Sequence, residues 1–185
     1  MKTKPFSYFA AAATLLALLI GASPTGAHVE GHMPDSVAEM EYRILLEFKP
    51  KDSVTRVKLA MVLINLDKLA EAEEEFERAL SLDPQNLQAY IGLSILRLKQ
   101  HRTDAALEMI KKAAQLAPDV PSVYLYHGRI LEADHRTSEA RHMYNQGLDQ
   151  LAGDSENPDA EHDRQQLEKA LGELEEKLNG KPFTD

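Results

Sequence analysis

The chain has 185 residues, contains no Cys or Trp and carries a formal net charge of −9. Without Cys it can form no disulfide, thiol nucleophile, zinc–thiolate site or iron–sulfur cluster. The acidic balance argues against general nucleic-acid binding, which requires a basic surface. Hydrophobic residues make up 43% of the chain but aromatic residues only 6%, and this composition favours helices over sheets.

Residues 1–27 have the features of a secretory signal peptide. Two lysines precede a short apolar run, and small residues follow it up to Ala27. The run is shorter than the ~20 apolar residues that cross a bilayer. We predict cleavage after Ala27, which removes both lysines and leaves a mature chain of net charge −11. Because there is no Cys for a lipid anchor, the expected location is periplasmic or secreted.

Beyond a flexible leader, residues 28–34, the sequence repeats with a period of 34 residues. Residues of the same kind recur at this spacing: prolines, small residues, bulky apolar residues and a His-Arg-Thr triplet. The series are Pro50, Pro84 and Pro118; Ala38, Ala72, Ala106 and Ala140; Tyr42, Phe76, Ile110 and Tyr144; and the triplets at His101 and His135. Four series in one register predict a repeat architecture in which each unit packs on its neighbours.

The repeats resemble the tetratricopeptide repeat (TPR) family, whose pattern ends in Ala-x3-Phe and then Pro. The matching segments are Ala72 to Phe76 with Pro84, Ala106 to Ile110 with Pro118, and Ala140 to Tyr144. The departures are Arg56 in place of an aromatic residue, Arg97 and His127 in place of apolar residues, and Ala152 in place of the last Pro. The resemblance implies an all-α TPR solenoid, a right-handed superhelix of antiparallel pairs of helix A and helix B.

The register divides the TPR domain, residues 35–154, into a half repeat and three full repeats. The half repeat is 35–52, and the full repeats are 53–86, 87–120 and 121–154. Start signals precede each helix A: Asp52 and Asn86 are candidate N-caps, and Pro121 suits a first helical position. Small residues at Ala60, Ser94 and Gly128 are expected to let helix A approach helix B.

A C-terminal capping helix is expected within residues 155–180, from about Pro158 to Leu178. Its leucines and alanines form one narrow stripe, and its other faces are charged. This stripe is expected to cap the last repeat. The alternatives are that it binds a second copy or folds into the groove of the protein. The tail, residues 181–185, is expected to be disordered.

In the TPR family, partners bind mostly in a concave groove lined by helix A. The repeat register assigns nine residues of this chain to that groove. The predicted groove residues are Val57, Met61, Ile64, Ile91, Ile95, Leu98, Leu125, Tyr126 and Arg129. Such an apolar groove can accept an amphipathic helix, unless its residues pack inside the solenoid. Some TPR adaptors grip C-terminal carboxylates with Lys, Asn and Arg. The corresponding positions here hold Val57, Met61, Gly92, Ser122 and Tyr126. The sequence therefore predicts that this carboxylate clamp is absent.

Two histidines near the predicted cleavage site are weak candidates for a metal site. After cleavage, His28 would present a free amine beside its imidazole, with His32 four residues on. An amine and two imidazoles can bind Cu(II), although a polar leader with two incidental histidines explains the pattern as well. His101 and His135 are expected in surface turns, and His127 at a partly buried packing position. We predict no cofactor.

No nucleophile elbow, phosphate loop or His-Glu-x-x-His motif is present, and the acidic run from Glu71 to Glu77 is interpreted as a solvated helix face. The predicted function is an exported, non-enzymatic adaptor or scaffold that binds a protein or peptide in its groove, in the assembly of an envelope complex. We expect neither nucleic-acid binding nor membrane insertion of the mature chain. A self-associating structural protein joined through its C-terminal helix, as a homodimer, and a copper-binding factor are the alternatives.

Overall fold

The computed structural model describes residues 34–152 and 158–180, and all regular structure within them is α-helical. The helices are α1 (Asp35–Phe48), α2 (Ser53–Asn65), α3 (Leu69–Leu82), α4 (Leu87–Lys99), α5 (Thr103–Leu116), α6 (Pro121–Ala133), α7 (Thr137–Gln150) and α8 (Pro158–Leu178). The predicted signal peptide, most of the leader and the tail lie outside the described residues. The all-α architecture predicted from the sequence is confirmed.

Local signals at the helix ends explain why the chain folds into these segments. The Asp52 side chain accepts hydrogen bonds from the backbone N–H groups of Val54 at 3.1 Å and Thr55 at 3.2 Å. The Asn86 side chain accepts one from Ala89 N–H at 3.0 Å. Pro121 occupies the first turn of α6. These side chains satisfy, or in the case of proline remove, N–H groups that have no partner within the helix.

The turn that follows each A helix contains one residue in the same backbone conformation. Asp67, His101 and His135 have φ values of 61°, 58° and 59°, in the left-handed region. Asp and His tolerate this region better than most residues, which suits them to the C-terminal turn of a helix. The two histidines are therefore exposed turn residues, as predicted, and Asp67 is their equivalent in the first repeat.

Helix A and helix B of each repeat pack closely because small residues lie where the two helices meet. Ala60, Ser94 and Gly128 are buried on the A helices. At Gly128 an added Cβ would lie only 2.3 Å from Cε1 of Tyr144, so any larger residue would push the two helices apart. The predicted role of these small residues is confirmed. Turns of three residues join helix A to helix B and leave the pair antiparallel.

A continuous core runs through the stack and ends beneath α8. One cluster joins α2, α3 and α4, and another extends from α4 to α8; Ile95 packs against both. Leu167, Ala170 and Leu174 of α8 are buried against α6 and α7. Thus α8 lies where helix A of a further repeat would lie. Within the described residues, no helix is both long enough and apolar enough to span a bilayer.

Candidate partner-binding groove

The A helices α2, α4 and α6 lie side by side in one layer, and all nine predicted groove residues belong to them. Four of the nine are buried in the core: Val57, Ile64, Ile91 and Leu125. They fill the space between neighbouring A helices, so the groove available to a partner is narrower than the sequence predicted. The reason is that contact between adjacent A helices covers side chains that the register of a single helix leaves exposed.

The other five residues reach the surface to different degrees. Met61, Ile95, Leu98 and Tyr126 are half-buried, and Arg129 is exposed. They span all three full repeats, and of the five only Arg129 is charged. These five predicted residues remain accessible to a partner.

A cavity of about 410 Å³ opens at the N-terminal part of the layer. It is lined by Tyr42, Val54, Val57, Lys58, Met61, Val62, Asn86 and Gln88. Only Val57 and Met61 were among the predicted groove residues. Val54 and Gln88 occupy equivalent positions near the start of their A helices, and this 34-residue equivalence is the sequence signal that could have identified them.

The helix-A layer is basic although the chain as a whole is acidic. Helices α2, α4 and α6 carry five basic residues and one acidic residue. The B helices, α1, α3, α5 and α7, carry thirteen acidic residues against five basic ones, and α8 carries seven against three. The two layers of the solenoid therefore present opposite charges.

Three cations lie on this layer at exposed positions, one in each full repeat: Lys58, Lys99 and Arg129. Lys58 lines the cavity. Lys99 Nζ donates to the Ile64 carbonyl at 2.7 Å and lies 3.3 Å from Oδ1 of Asp67. The Arg129 guanidinium lies 5.7 Å from the ring centroid of Tyr126, within the range of a cation–π contact.

The acidic residue of the layer, Glu132, is engaged by groups of the protein itself. The Tyr144 hydroxyl donates to one of its carboxylate oxygens, and Lys177 Nζ lies 3.2 Å from the other. Burial, reinforced by this carboxylate, raises the pKa of Tyr144 far above its usual value, so the hydroxyl keeps its proton. Glu132 thus ties α6 to α7 and α8 and leaves the accessible face of the layer basic.

Two departures from the repeat pattern are explained by ion pairs. Arg56, which replaces an aromatic residue, donates to Glu75 Oε2 at 2.6 Å, and Arg78 donates to the other oxygen at 2.6 Å. Arg97 pairs with Glu73, and this hydrogen bond lowers the pKa of the Glu73 carboxyl. Glu75 is buried, so the interpretation of the run from Glu71 to Glu77 as an entirely solvated face is wrong. Since a buried carboxylate requires partners, the arginines account for its position.

The histidines give no metal site within residues 34–152 and 158–180, where no group of three His, Asp or Glu residues could hold an ion. His127 is partly buried, and burial, followed by repulsion from Lys111 and Arg136, lowers its pKa. His28 and His32 lie outside the described residues, so the copper hypothesis stays a prediction.

A family model described as Tetratricopeptide repeat matches residues 63–123. This segment runs from the end of α2 to the start of α6 and contains the whole of α3, α4 and α5. No curated protein matches the chain by sequence.

Several solved structures share the fold at low sequence identity. A thermophilic TPR protein of Thermus thermophilus, TTC0263, is 20% identical with a TM-score of 0.62, and the match covers 78% of each chain. SycD, a type III secretion translocator chaperone of Yersinia enterocolitica, is 17% identical with a TM-score of 0.56, over 67% of this chain and 83% of that one.

A third match is to the APC/C hetero-tetramer Cut9–Hcn1, at 19% identity and a TM-score of 0.59. It covers 64% of this chain but only 23% of the matched chain, so this protein spans about a quarter of that relative. At these identities the likeness establishes the helical solenoid and no particular partner.

Proposed function

We propose that this chain, which carries tetratricopeptide repeats in a solenoid of the TPR fold, is a non-enzymatic adaptor that binds an amphipathic helix of another protein. The helix would lie along the helix-A layer, with its apolar side on Met61 and Ile95. An adaptor-like solenoid of this kind buries its own core between repeats and leaves one face available to a partner.

The observation that carries the proposal is the cavity of about 410 Å³ at the N-terminal part of that layer. Its walls are mostly apolar side chains, including Val54, Met61 and Val62, and its rim carries Lys58. A concave apolar site with a few polar groups at its rim is the usual form of a binding site. The same chemistry suits the side chains of a helix better than a polar ligand.

The charge of the layer indicates the kind of helix. Lys58 and Arg129 are exposed on the helix-A layer, with Lys99 between them paired to Asp67, whereas the acidic residues lie mostly on the opposite layer. We therefore propose a partner helix with acidic residues beside its apolar face. Complementary charges favour such a partner and repel a basic one.

Two synthetic amphipathic helices with one leucine face, one flanked by Glu and the other by Lys, provide the test. By fluorescence anisotropy, we expect the Glu-flanked peptide to bind more tightly and to lose this advantage as salt is added. The double substitution Lys58→Glu with Arg129→Glu should weaken it by about tenfold, because two attractive contacts become repulsive.

The matched control is Lys111→Glu with Lys112→Glu, which makes the same change in charge on exposed positions of α5, a helix B. It should leave binding nearly unchanged. Equal losses in both variants would mean that only net charge matters and would refute a groove site. Failure of both peptides to bind would refute the proposal itself.

We further propose that the adaptor is exported and serves in the assembly of an envelope complex. The support is the sequence of residues 1–27, with its basic start, apolar run and small residues. Mass spectrometry of the protein recovered from its own cells tests the point. A mature chain that begins at His28 supports export, and an intact N-terminus in the cytoplasm contradicts it.

Self-association through the leucine stripe of α8 is a weaker candidate. Leu167 and Leu174 of that stripe are buried against α6 and α7, and only Leu178 at its end is exposed. A second copy could reach the buried leucines only if α8 left the stack.

A further inference from the structure

The described turns that lead from a helix B into the next helix A are each held by a side-chain hydrogen bond. In the second repeat the Tyr90 hydroxyl donates to the Pro84 carbonyl at 3.2 Å. In the third repeat the Tyr124 hydroxyl donates to the Pro118 carbonyl at 2.5 Å. Each tyrosine is the fourth residue of its helix A, six residues after the proline. The bond ties the turn to the helix that follows it and so fixes the angle between them.

The first repeat makes the same contact with a different residue. Arg56 is equivalent in position to the two tyrosines, and its Nη2 donates to the Pro50 carbonyl at 2.7 Å. Because a guanidinium has several donors, Nη1 can also donate to Oε2 of the buried Glu75 on α3, at 2.6 Å. One side chain therefore links the turn after α1, helix α2 and helix α3, whereas the single hydroxyl of a tyrosine links two segments.

The residue that pairs with Arg56 is also special to the first repeat. Glu75 is equivalent to Met109 and Met143, so Arg and Glu replace Tyr and Met together. A buried ion pair is often no more stable than an apolar pair of similar volume. The Arg56 Nε atom is moreover buried without a hydrogen-bond partner among the described residues. Stability alone therefore does not account for an arginine at this position.

The segments that Arg56 links form walls of the cavity of about 410 Å³. Tyr42 contributes from α1, Met61 from α2 and Gln88 from the start of α4. Arg56 does not line the cavity and so acts from behind its wall. The separation of Tyr42 from Met61 depends on the angle between α1 and α2, and the bond to the Pro50 carbonyl fixes the turn that sets this angle.

We propose that Arg56 is the positioning residue of the partner-binding cavity, because it holds α1 and α2 at the spacing that a partner helix requires. The inference rests on the proposed function and adds to it the residue that preorganises the site. A preorganised site binds more tightly, since little free energy is lost in ordering it when the partner arrives. Loosening this turn should therefore weaken binding while the solenoid stays folded.

Two double variants that differ by one hydroxyl test the proposal. Arg56→Tyr with Glu75→Met installs the pair of the other repeats, which keeps a donor for the Pro50 carbonyl and leaves no buried charge. By fluorescence anisotropy it should bind the Glu-flanked leucine peptide within about twofold of the unaltered chain. Arg56→Phe with Glu75→Met lacks the donor and should bind about fivefold more weakly, which corresponds to the loss of one net hydrogen bond.

The matched control is Tyr124→Phe, which removes the equivalent bond from a turn that does not border the cavity. It should leave the affinity unchanged. Equal affinities of the two double variants would overturn the positioning role, as would an equal loss in Tyr124→Phe. Circular dichroism shows whether each variant folds. Should either double variant fail to fold, Arg56→Lys and Arg56→Met, each with Glu75→Gln, make the same comparison, because lysine retains donors and methionine has none.

Nuclear magnetic resonance of the free protein separates failure of this proposal from failure of the proposed function. If no peptide binds the unaltered chain, the adaptor function is refuted, and the signals of the Tyr42 ring and the Met61 methyl group still test Arg56. They should shift or broaden in the Arg56→Phe double variant and stay close to those of the unaltered chain in the Arg56→Tyr one. Identical signals in the two double variants would then overturn the role of Arg56.

Discussion

The first and last described helices of the solenoid, α1 and α8, differ in what they show to solvent. At the C-terminal end, α8 buries Leu167 and Leu174 in the stack and presents charged residues outward. At the N-terminal end, α1 buries Ala38 and leaves Ile44 and Phe48 exposed. A terminal helix therefore protects a repeat array only when its outer face is polar. The position of a helix at the end of the stack does not make it a cap.

The largest expected effect comes from comparing two apolar residues, a buried one at the C-terminal end and an exposed one at the N-terminal end. Leu174 of α8 is 1% exposed, whereas Ile44 of α1 is half exposed. Leu174→Ala should lower the free energy of unfolding by about 2–5 kcal/mol, through lost burial and the cavity left behind. Ile44→Ala should change it by about 0.5 kcal/mol or less when the chain is monomeric. Urea denaturation measures both, and equal losses would contradict the difference between the ends.

The middle of the stack supplies a second test, because packing there is tighter than at either end. An added Cβ at Gly92 of α4 would lie 2.3 Å from Cε1 and Cζ of Phe76. Gly92→Ala should therefore destabilise the fold by about 1–3 kcal/mol. Thermal unfolding followed by circular dichroism measures the loss. An unchanged midpoint would mean that α3 and α4 are less closely packed than described.

A smaller effect is expected where the N-terminal end joins the first full repeat. The Asp52 carboxylate caps α2 and also accepts from the Thr55 hydroxyl at 2.8 Å. Removing the cap with Asp52→Ala should cost about 1 kcal/mol of stability. Since these hydrogen bonds lower the pKa of Asp52, the carboxylate favours folding above its unfolded pKa. That contribution disappears as the pH falls through the folded pKa, so acid should reduce the difference between Asp52→Ala and the unaltered chain.

The smallest effect has the opposite sign and concerns the C-terminal end. Gly172 lies exposed in α8, and an added Cβ there would meet no atom of another helix within 4 Å. Gly172→Ala should stabilise the chain by up to about 1 kcal/mol, because alanine favours the helix and clashes with nothing. The same denaturation experiment measures it and provides a matched control for Gly92→Ala. Destabilisation would show that α8 makes contacts on its outer side.

The sequence predicted the helices well because each signal for them is local. Asp52 and Asn86 act within one turn, and the buried small residues such as Ala72 and Gly128 recur at a fixed spacing. Which helix-A residues stay accessible could not be predicted in the same way. Val57 and Met61 lie one turn apart, yet only Val57 is buried, so the difference depends on packing outside the helix itself.

Two further features depended on contacts between helices. Glu75 looks like one of several surface carboxylates, and only its approach to Arg56 shows that it is buried and paired. Four exposed apolar residues of α1 form one stripe: Val37, Met40, Ile44 and Phe48. This stripe has the period of a core-facing helix, so the sequence alone cannot tell whether a neighbour covers it. The environment of Glu75 thus depends on Arg56, a residue distant in the chain. The environment of the α1 stripe depends on whether another helix packs against it.

Hydrogen exchange of the backbone amides tests the difference between the two ends most directly. We predict that the amides of α8 exchange more slowly than those of α1, because α8 packs against both α6 and α7 whereas α1 contacts only α2 among the described helices. Equal protection of the two helices, or slower exchange in α1, would contradict this account.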